Sequence, residues 1–152
     1  MEPRMNHPVF VVPGALEALH KLSDVAAKTG VPFATLKMVE LRASQINGCS
    51  FCVDMHTREL RKAGESDERV ATVAAWRDAP WFSDAERAAL ALTEAVTRIA
   101  DRPEAITDEI WAEAAKHYDE TQLSGLLLDI GTINVWNRVN VATRSVAGEY
   151  DA

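Results

Sequence analysis

The segment from Leu123 to Ile133 constrains the fold of this chain most strongly, because its apolar residues surround a helix on nearly every side. A helix with this pattern is typical of a buried element rather than of an amphipathic one. The apolar residues are Leu123, Leu126, Leu127, Leu128, Ile130 and Ile133. In a chain of only 152 residues, either a central core position or a partner subunit would cover such a helix. The residues alone leave both options open.

Other segments repeat their apolar residues at helical spacings, and none shows the two-residue alternation of a half-buried strand. We therefore predict an all-α fold in a single domain, residues 1–152. Capping boxes at Ser83 and Asp119 and glycines such as Gly30, Gly48 and Gly64 mark helix boundaries. The predicted helices cover residues 15–28, 34–46, 49–63, 66–75, 83–100 and 107–118, and a long segment from 119. Residues 1–13 contain three prolines and are predicted to form an extended arm, with a lone edge strand as an option.

Charge and hydropathy exclude several classes of protein. The 16 Lys and Arg against 23 Asp and Glu give a net charge of −7, and no stretch is markedly basic. This argues against a nucleic-acid partner. No apolar run approaches the roughly 20 residues needed to span a bilayer, and residues 1–12 lack the apolar core of a signal peptide. We therefore expect a cytoplasmic protein with no membrane partner, and in that reducing compartment a close cysteine pair indicates catalysis or metal binding.

The chemistry-bearing residues are concentrated after the Asn47-Gly48 turn. Cys49, Cys52 and His56 are spaced by three and four residues, which places them on one helical face. The start of a helix favours a thiolate, and an adjacent imidazole lowers the pKa of a thiol. A second thiol can resolve a sulfenic acid into a disulfide. We therefore predict two-electron thiol redox chemistry, with the two cysteines close enough to bond, near a helix N-terminus and partly accessible.

Other interpretations of the same residues remain open. Two buried, inert cysteines can share a helical spacing, and a structural zinc site needs four ligands where this segment has three. The remaining histidines, His7, His20 and His117, have no paired spacing. Aromatic residues can line a substrate pocket or belong to the core; they are Trp76, Trp81, Phe82 and Trp111. The polar residues Asn134, Asn137 and Arg138 can hydrogen-bond across subunits or mark where the last helix reaches solvent.

Three segments resemble the AhpD-like alkylhydroperoxidases of the carboxymuconolactone decarboxylase superfamily. They are residues 40–52 followed by His56-Thr57, residues 83–100 with Glu86-Arg87 and Thr93-Glu94-Ala95, and residues 133–138. The resemblance implies an all-helical bundle that is an obligate oligomer: a dimer, a trimer or a hexamer built from dimers. It also implies a peroxidase in which Cys52 is the peroxidatic thiol, Cys49 the resolving thiol and His56 part of the proton relay. An external dithiol or thioredoxin-like protein is the implied reductant, with no metal, haem or flavin.

The chain departs from that pattern at two positions. Phe51 stands where the best-studied peroxidases have a histidine, and Lys37 stands where they have the relay glutamate. Glu40 lies one turn further along and either joins the relay or is a solvated or Arg-paired carboxylate, and Arg42 is either its partner or part of a subunit contact. We interpret the chain as an antioxidant peroxidase acting on a small hydroperoxide. The alternatives are a lactone-processing decarboxylase that kept the cysteines and a non-enzymatic, redox-sensing oligomer.

Overall fold

A computed structural model describes residues 2–149. All regular secondary structure in that range is helical, which confirms the predicted all-α class. The helices are α1 (Pro8–Val11), α2 (Ala15–Ala26), α3 (Phe33–Asn47), α4 (Ser50–Lys62), α5 (Asp67–Thr72), α6 (Asp84–Thr97), α7 (Asp108–His117) and α8 (Glu120–Thr143). Short 3-10 turns, Ala27–Thr29 and Val73–Ala75, follow α2 and α5. No helix within residues 2–149 has both the length and the apolarity that a membrane crossing requires.

The helix boundaries follow the local capping chemistry. Ser83 and Glu86 form the predicted capping box at the start of α6, and Asp119 and Gln122 form the one that opens α8. Each side-chain oxygen accepts from a backbone N–H that the first helical turn leaves unpaired. The helices therefore begin within a residue or two of the predicted positions.

The N-terminal arm differs from its prediction. Met1 lies outside the described residues, and residues 8–11 form a turn of helix instead of an extended segment or an edge strand. Pro8 suits the first helical turn because its φ angle is already helical and that turn needs no N–H at this position. The arm lies along the end of α8, since the backbone N–H of Arg4 donates to the Thr143 carbonyl at 2.8 Å and its guanidinium donates to the Ala142 carbonyl at 3.0 Å.

Helix α3 is the central element because it packs against α4, α6 and α8. One apolar cluster joins α3 to α6, α7 and α8 and includes Val39, Leu92 and Leu126. A second cluster joins α3 to the segments from α4 to α6 and includes Trp76 and Phe82. Of the four aromatic residues weighed as pocket or core, these two are therefore core residues, whereas Trp81 and Trp111 are 47% and 43% exposed.

Helix α8 is not enclosed on all sides by its own chain, so a simple central core position, one of the two options left by the sequence, does not describe it. Leu126 and Ile130 are fully buried, but Leu128, Val135 and Val141 are 45%, 44% and 46% exposed. The buried side of the same helix carries several polar residues, namely Asp129, Asn134, Asn137 and Asn140. The helix thus presents polar as well as apolar side chains to the interior and leaves Leu128 and Val135, which lie two turns apart on one side, uncovered by its own chain.

Candidate active site

The turn between α3 and α4 places the cysteine pair as the spacing predicts. Gly48 ends α3 with φ of 67°, a left-handed conformation that favours glycine. Cys49 is the N-cap of α4, and its Sγ accepts from the backbone N–H of Cys52 at 3.3 Å. Both sulfurs therefore lie in the first turn of a 13-residue helix, where the unpaired N–H groups favour negative charge.

Cys49 and Cys52 are joined in a disulfide with their Cα atoms 5.4 Å apart. This confirms that the pair is close enough to bond and lies near a helix N-terminus. The prediction of partial accessibility is wrong for the oxidised single chain, because each cysteine is only 1% exposed. Part of the reason is α8, whose Asn140 amide nitrogen donates to Cys52 Sγ at 3.4 Å. The Cys52 sulfur thus has a polar hydrogen-bond donor beside it.

His56 lies one turn after Cys52 on α4 and is 2% exposed. Its Nδ1 is 2.8 Å from Glu59 Oε2 and 3.3 Å from Glu40 Oε2. A carboxylate can only accept a hydrogen bond, so Nδ1 carries a proton. His56 Nε2 is buried without a hydrogen-bond partner among the described residues. The geometry leaves Nε2 as the ring nitrogen that is free to exchange a proton with a reacting group.

Lys37 and Glu40 form an ion pair, with the Lys37 ammonium 2.6 Å from Glu40 Oε2 and 3.5 Å from Glu59 Oε2. Burial lowers the pKa of Lys37, but the charge and hydrogen bond of Glu40 outweigh this and hold the pKa above its ordinary value. Burial also raises the pKa of Glu59, and the hydrogen bond from His56 together with the Lys37 charge brings it below its ordinary value. The Lys37 ammonium therefore lies between the oxygens of Glu40 and Glu59.

Glu40 is neither solvated nor paired with Arg42. The Arg42 guanidinium instead donates to Glu94 at 2.8 Å, and Glu40 is 8% exposed and reaches the His56 ring. The two residues diverge because positions 40 and 42 lie on different sides of α3. The structure therefore brings together all four predicted site residues, with Cys49, Cys52 and His56 on α4 and Glu40 on α3.

Asp129 is a buried carboxyl group that the sequence interpretation missed. It is 4% exposed on α8, and burial followed by the negative charge of Glu40 raises the pKa of Asp129 to about 8. Asp129 Oδ2 is buried without a hydrogen-bond partner among the described residues. The available signal was an acidic residue between Leu128 and Ile130 in an otherwise apolar segment.

The carboxylates and the imidazole also form a group of metal-ligand type. One ligand atom each from Glu40, His56 and Glu59 lies within 4.8 Å of the others. The Lys37 ammonium, however, contacts the oxygens of both glutamates. A divalent ion at this position would be repelled by Lys37, which already supplies the positive charge that the two carboxylates need.

The asparagines of α8 are buried and hydrogen-bond within the chain, an arrangement that differs from both options left by the sequence, bonds across subunits and a helix end in solvent. The Asn47 amide donates to Asn134 at 3.0 Å and to Asn137 at 2.9 Å. Asn137 in turn donates to Ser44 Oγ at 3.0 Å. Since Asn47 directly precedes the Gly48-Cys49 turn, these bonds fix that turn against α8.

Comparison with known proteins agrees with this architecture. The model of the carboxymuconolactone decarboxylase family matches residues 13–95. An uncharacterised Bacillus subtilis protein, YdfG, is 35% identical over 132 residues, which is 87% of this chain and 88% of YdfG. The chain belongs to the carboxymuconolactone decarboxylase family. A shorter match covers the alkyl hydroperoxide reductase AhpD of Bradyrhizobium diazoefficiens, which is 41% identical over 49 residues, or 32% of this chain and 27% of that protein.

A solved structure of another protein has nearly the same fold as this chain. It is a protein of unknown function from Agrobacterium tumefaciens, described as a candidate antioxidant defence protein AhpD. The two chains are 33% identical, with a TM-score of 0.89, and the match covers 98% of this chain and 100% of the other. The helical arrangement around the cysteine pair is therefore shared over essentially the whole described chain.

Replacing Asp129 with Asn should change how stability depends on pH. A carboxyl group whose pKa is 3.8 in the unfolded chain and about 8 in the folded protein makes its full contribution to the stability of the folded state below pH 4. That contribution is lost as the pH rises to about 8. Asp129→Asn lacks this loss. We therefore expect its unfolding free energy relative to wild type to rise by more than ~1 kcal/mol between pH 5 and pH 8.

Urea unfolding of both proteins at the two pH values measures this difference. The glutamates whose pKa values are lowered, such as Glu59 and Glu94, are present in both proteins, so their effect cancels in the comparison. A constant difference between the two proteins across this pH range would show that Asp129 is ionised in the folded state.

Proposed function

We propose that this protein is a thiol peroxidase that reduces small hydroperoxides through Cys52 and Cys49. The observation that carries the proposal is the bonded cysteine pair in the first turn of α4, followed by a buried histidine whose Nδ1 is held by two carboxylates. This arrangement supplies a nucleophile, a resolving thiol and an acid–base group on one helix. A reducing compartment such as the cytoplasm would keep the pair available for repeated turnover.

In the first step the Cys52 thiolate attacks one oxygen of the hydroperoxide O–O bond. The sulfur–oxygen bond forms, the O–O bond breaks, and the alkoxide leaves with a proton as an alcohol. His56 is suited to supply that proton from Nε2, because its Nδ1–H remains bonded to Glu59, with Glu40 Oε2 3.3 Å from the same nitrogen. Glu40 thereby takes the place of the relay glutamate whose position Lys37 occupies, and acts as a positioning residue for the ring.

In the second step the Cys49 thiolate attacks the sulfenic sulfur of Cys52. The disulfide forms and hydroxide leaves as water after accepting a proton. An external dithiol then restores both thiols by two exchange reactions, and is itself oxidised to a disulfide. The Cα separation of 5.4 Å means that the bond forms without displacing the helix.

The cysteine pair should be required for turnover. With an alkyl hydroperoxide and a dithiol reductant, wild type should consume peroxide repeatedly, whereas Cys52→Ser should be inactive because no thiolate can attack. Cys49→Ser should react once and accumulate a sulfenic acid, which a dimedone adduct at Cys52 detects by mass spectrometry. Serine keeps the N-cap of α4, so this variant separates resolution from folding. Disulfide formation without continued turnover in wild type would contradict the proposal and favour a redox sensor.

His56 should accelerate the reaction without supporting the fold. We expect His56→Ala to slow peroxide reduction by roughly 10²–10⁴-fold, the usual contribution of a positioned acid–base group. A matched control is His117→Ala on α7, where the histidine pairs with Glu113 and its loss should leave the rate unchanged. The rate is measured by stopped flow and folding by circular dichroism. Equal rates in wild type and His56→Ala, with an unshifted pH profile for alkylation of Cys52, would exclude His56 from the relay.

We also propose that the subunit assembles with copies of itself through the exposed side of α8. Leu128 and Val135 lie two turns apart on that side and are about half exposed, and apolar stripes of this kind mark interaction surfaces. Light scattering at micromolar concentration should report a mass of two or more chains. Leu128→Asp with Val135→Asp should reduce that mass, whereas Ile99→Asp, at an exposed apolar position outside α8, should not. A wild-type monomer would refute self-assembly.

A further inference from the structure

Asn140 lies between the reactive cysteine and the N-terminal arm. Its amide nitrogen donates to Cys52 Sγ at 3.4 Å, and its amide oxygen is 3.1 Å from His7 Nε2. The side chain is 5% exposed. Three distant parts of the sequence therefore meet at Asn140. Cys52 lies 88 positions before it and His7 lies 133 positions before it.

The positions of the hydrogen atoms along these contacts are determined by Cys52 at one end and His7 at the other. A sulfur in a disulfide carries no proton and can only accept, so the Asn140 NH₂ group must face Cys52. His7 Nδ1 accepts from the backbone N–H of Val9 at 3.3 Å, so Nδ1 is unprotonated and Nε2 carries the hydrogen. The Nε2–H of His7 therefore donates to Asn140 Oδ1, and the reversed amide orientation would leave both ends mismatched.

The His7 ring is itself held in place. It stacks on Trp136 of α8, with ring centroids 5.9 Å apart and planes at 29°, and the hydrogen bonds from Arg4 to Thr143 and Ala142 tie the same arm to the end of α8. Trp136 lies one turn before Asn140 on the same helix. The arm therefore holds an imidazole over Asn140 at a fixed position, and this orients the amide before any reaction begins.

We propose that Asn140 is a further catalytic residue, which stabilises negative charge on the Cys52 sulfur by donating an N–H, and that His7 is the positioning residue that orients it. The inference rests on the proposed function in so far as Cys52 is the reacting thiol. A hydrogen bond to an ionised group is about twice as strong as one between neutral groups, and burial strengthens it further. The bond therefore gains strength when the sulfur becomes a thiolate.

This contribution is separate from that of the helix. The N-terminus of α4 approaches the sulfur along the helix axis, whereas Asn140 reaches it from α8. Hydrogen bonding to the charged form of a group favours that form. Cys49 Sγ accepts from the backbone N–H of Cys52 within α4, whereas Cys52 Sγ accepts from a side-chain amide on a second helix.

The test measures ionisation of Cys52 directly and uses no peroxide. In a Cys49→Ser background Cys52 is the only thiol, and its thiolate is followed by ultraviolet absorbance as the pH is raised. We expect Asn140→Leu to move the midpoint upward by about one pH unit, the shift expected for loss of one hydrogen bond to a charged group. His7→Phe retains a ring against Trp136 and should move the midpoint in the same direction by a smaller amount.

His20→Phe is the matched control. The His20 ring also packs against Trp136, at 6.0 Å, but its variant leaves the contact between His7 and Asn140 in place, so the midpoint should not move. The remaining titratable groups packed around the site are the same in every variant, so differences between variants report on Asn140 and His7. These groups are Lys37, Glu40, His56, Glu59 and Asp129.

A double variant distinguishes positioning from a direct effect of His7. If His7 acts through Asn140, adding His7→Phe to Asn140→Leu should produce no further shift, and an additional shift would overturn its positioning role. An unchanged midpoint in folded Asn140→Leu would overturn the proposal. If Asn140→Leu does not fold, His7→Phe decides alone: an upward shift supports the proposal and an unchanged midpoint rejects it. If wild type fails to consume peroxide but Asn140→Leu still raises the midpoint, this inference stands and the proposed function is rejected.

Discussion

The hydrogen bonds between the asparagines of α8 and the turn before α4 set the position of the thiols. Asn134, Asn137 and Asn140 are spaced by three residues, so they lie along one face of the helix that is buried against α3 and α4. A buried amide without partners costs free energy, and these amides find their partners only when α8 has one particular register. Packing of leucines alone tolerates small shifts between helices, but this set of bonds does not.

A second polar cluster, on the other side of His56, is organised by charge rather than by amide geometry. Lys37 supplies one positive charge to Glu40 and Glu59, and Asp129 is neutral at physiological pH because burial and Glu40 raise its pKa to about 8. Two carboxyl groups therefore surround one ammonium beside the His56 ring. Lys37, the residue that departs from the peroxidase pattern, thus holds Glu40 where it can contact the histidine.

The local features of the protein were predictable from sequence because they depend on nearby residues. Ser83 and Asp119 start their helices with capping boxes, and Gly48 and Cys49 form the turn that the spacing of Cys49, Cys52 and His56 predicts. Family resemblance added the expected all-helical arrangement. The roles of the site residues stay predictions, because geometry alone does not measure reactivity.

The long-range features were not predictable in the same way. Whether Glu40 faces His56 or Arg42 depends on how α3 and α4 cross, and the burial of the cysteines depends on α8 and the arm. The extended arm was a wrong prediction because Pro8 and His7 provide a local helix start that the count of prolines obscured. Apolar periodicity in α8 located a long helix correctly but gave no information on which side the rest of the chain would cover.

The distance along the chain between Cys52 and Asn140 has a consequence for the order in which the protein is made. Cys52 leaves the ribosome 88 residues before Asn140, its partner on α8, and early segments of a chain emerge and begin to fold first. During that interval the thiols have neither the amide of Asn140 nor the packing of the final helix beside them. The nascent chain therefore carries a pair of uncovered cysteines, and their mature surroundings are completed only when the last helix is released and docks.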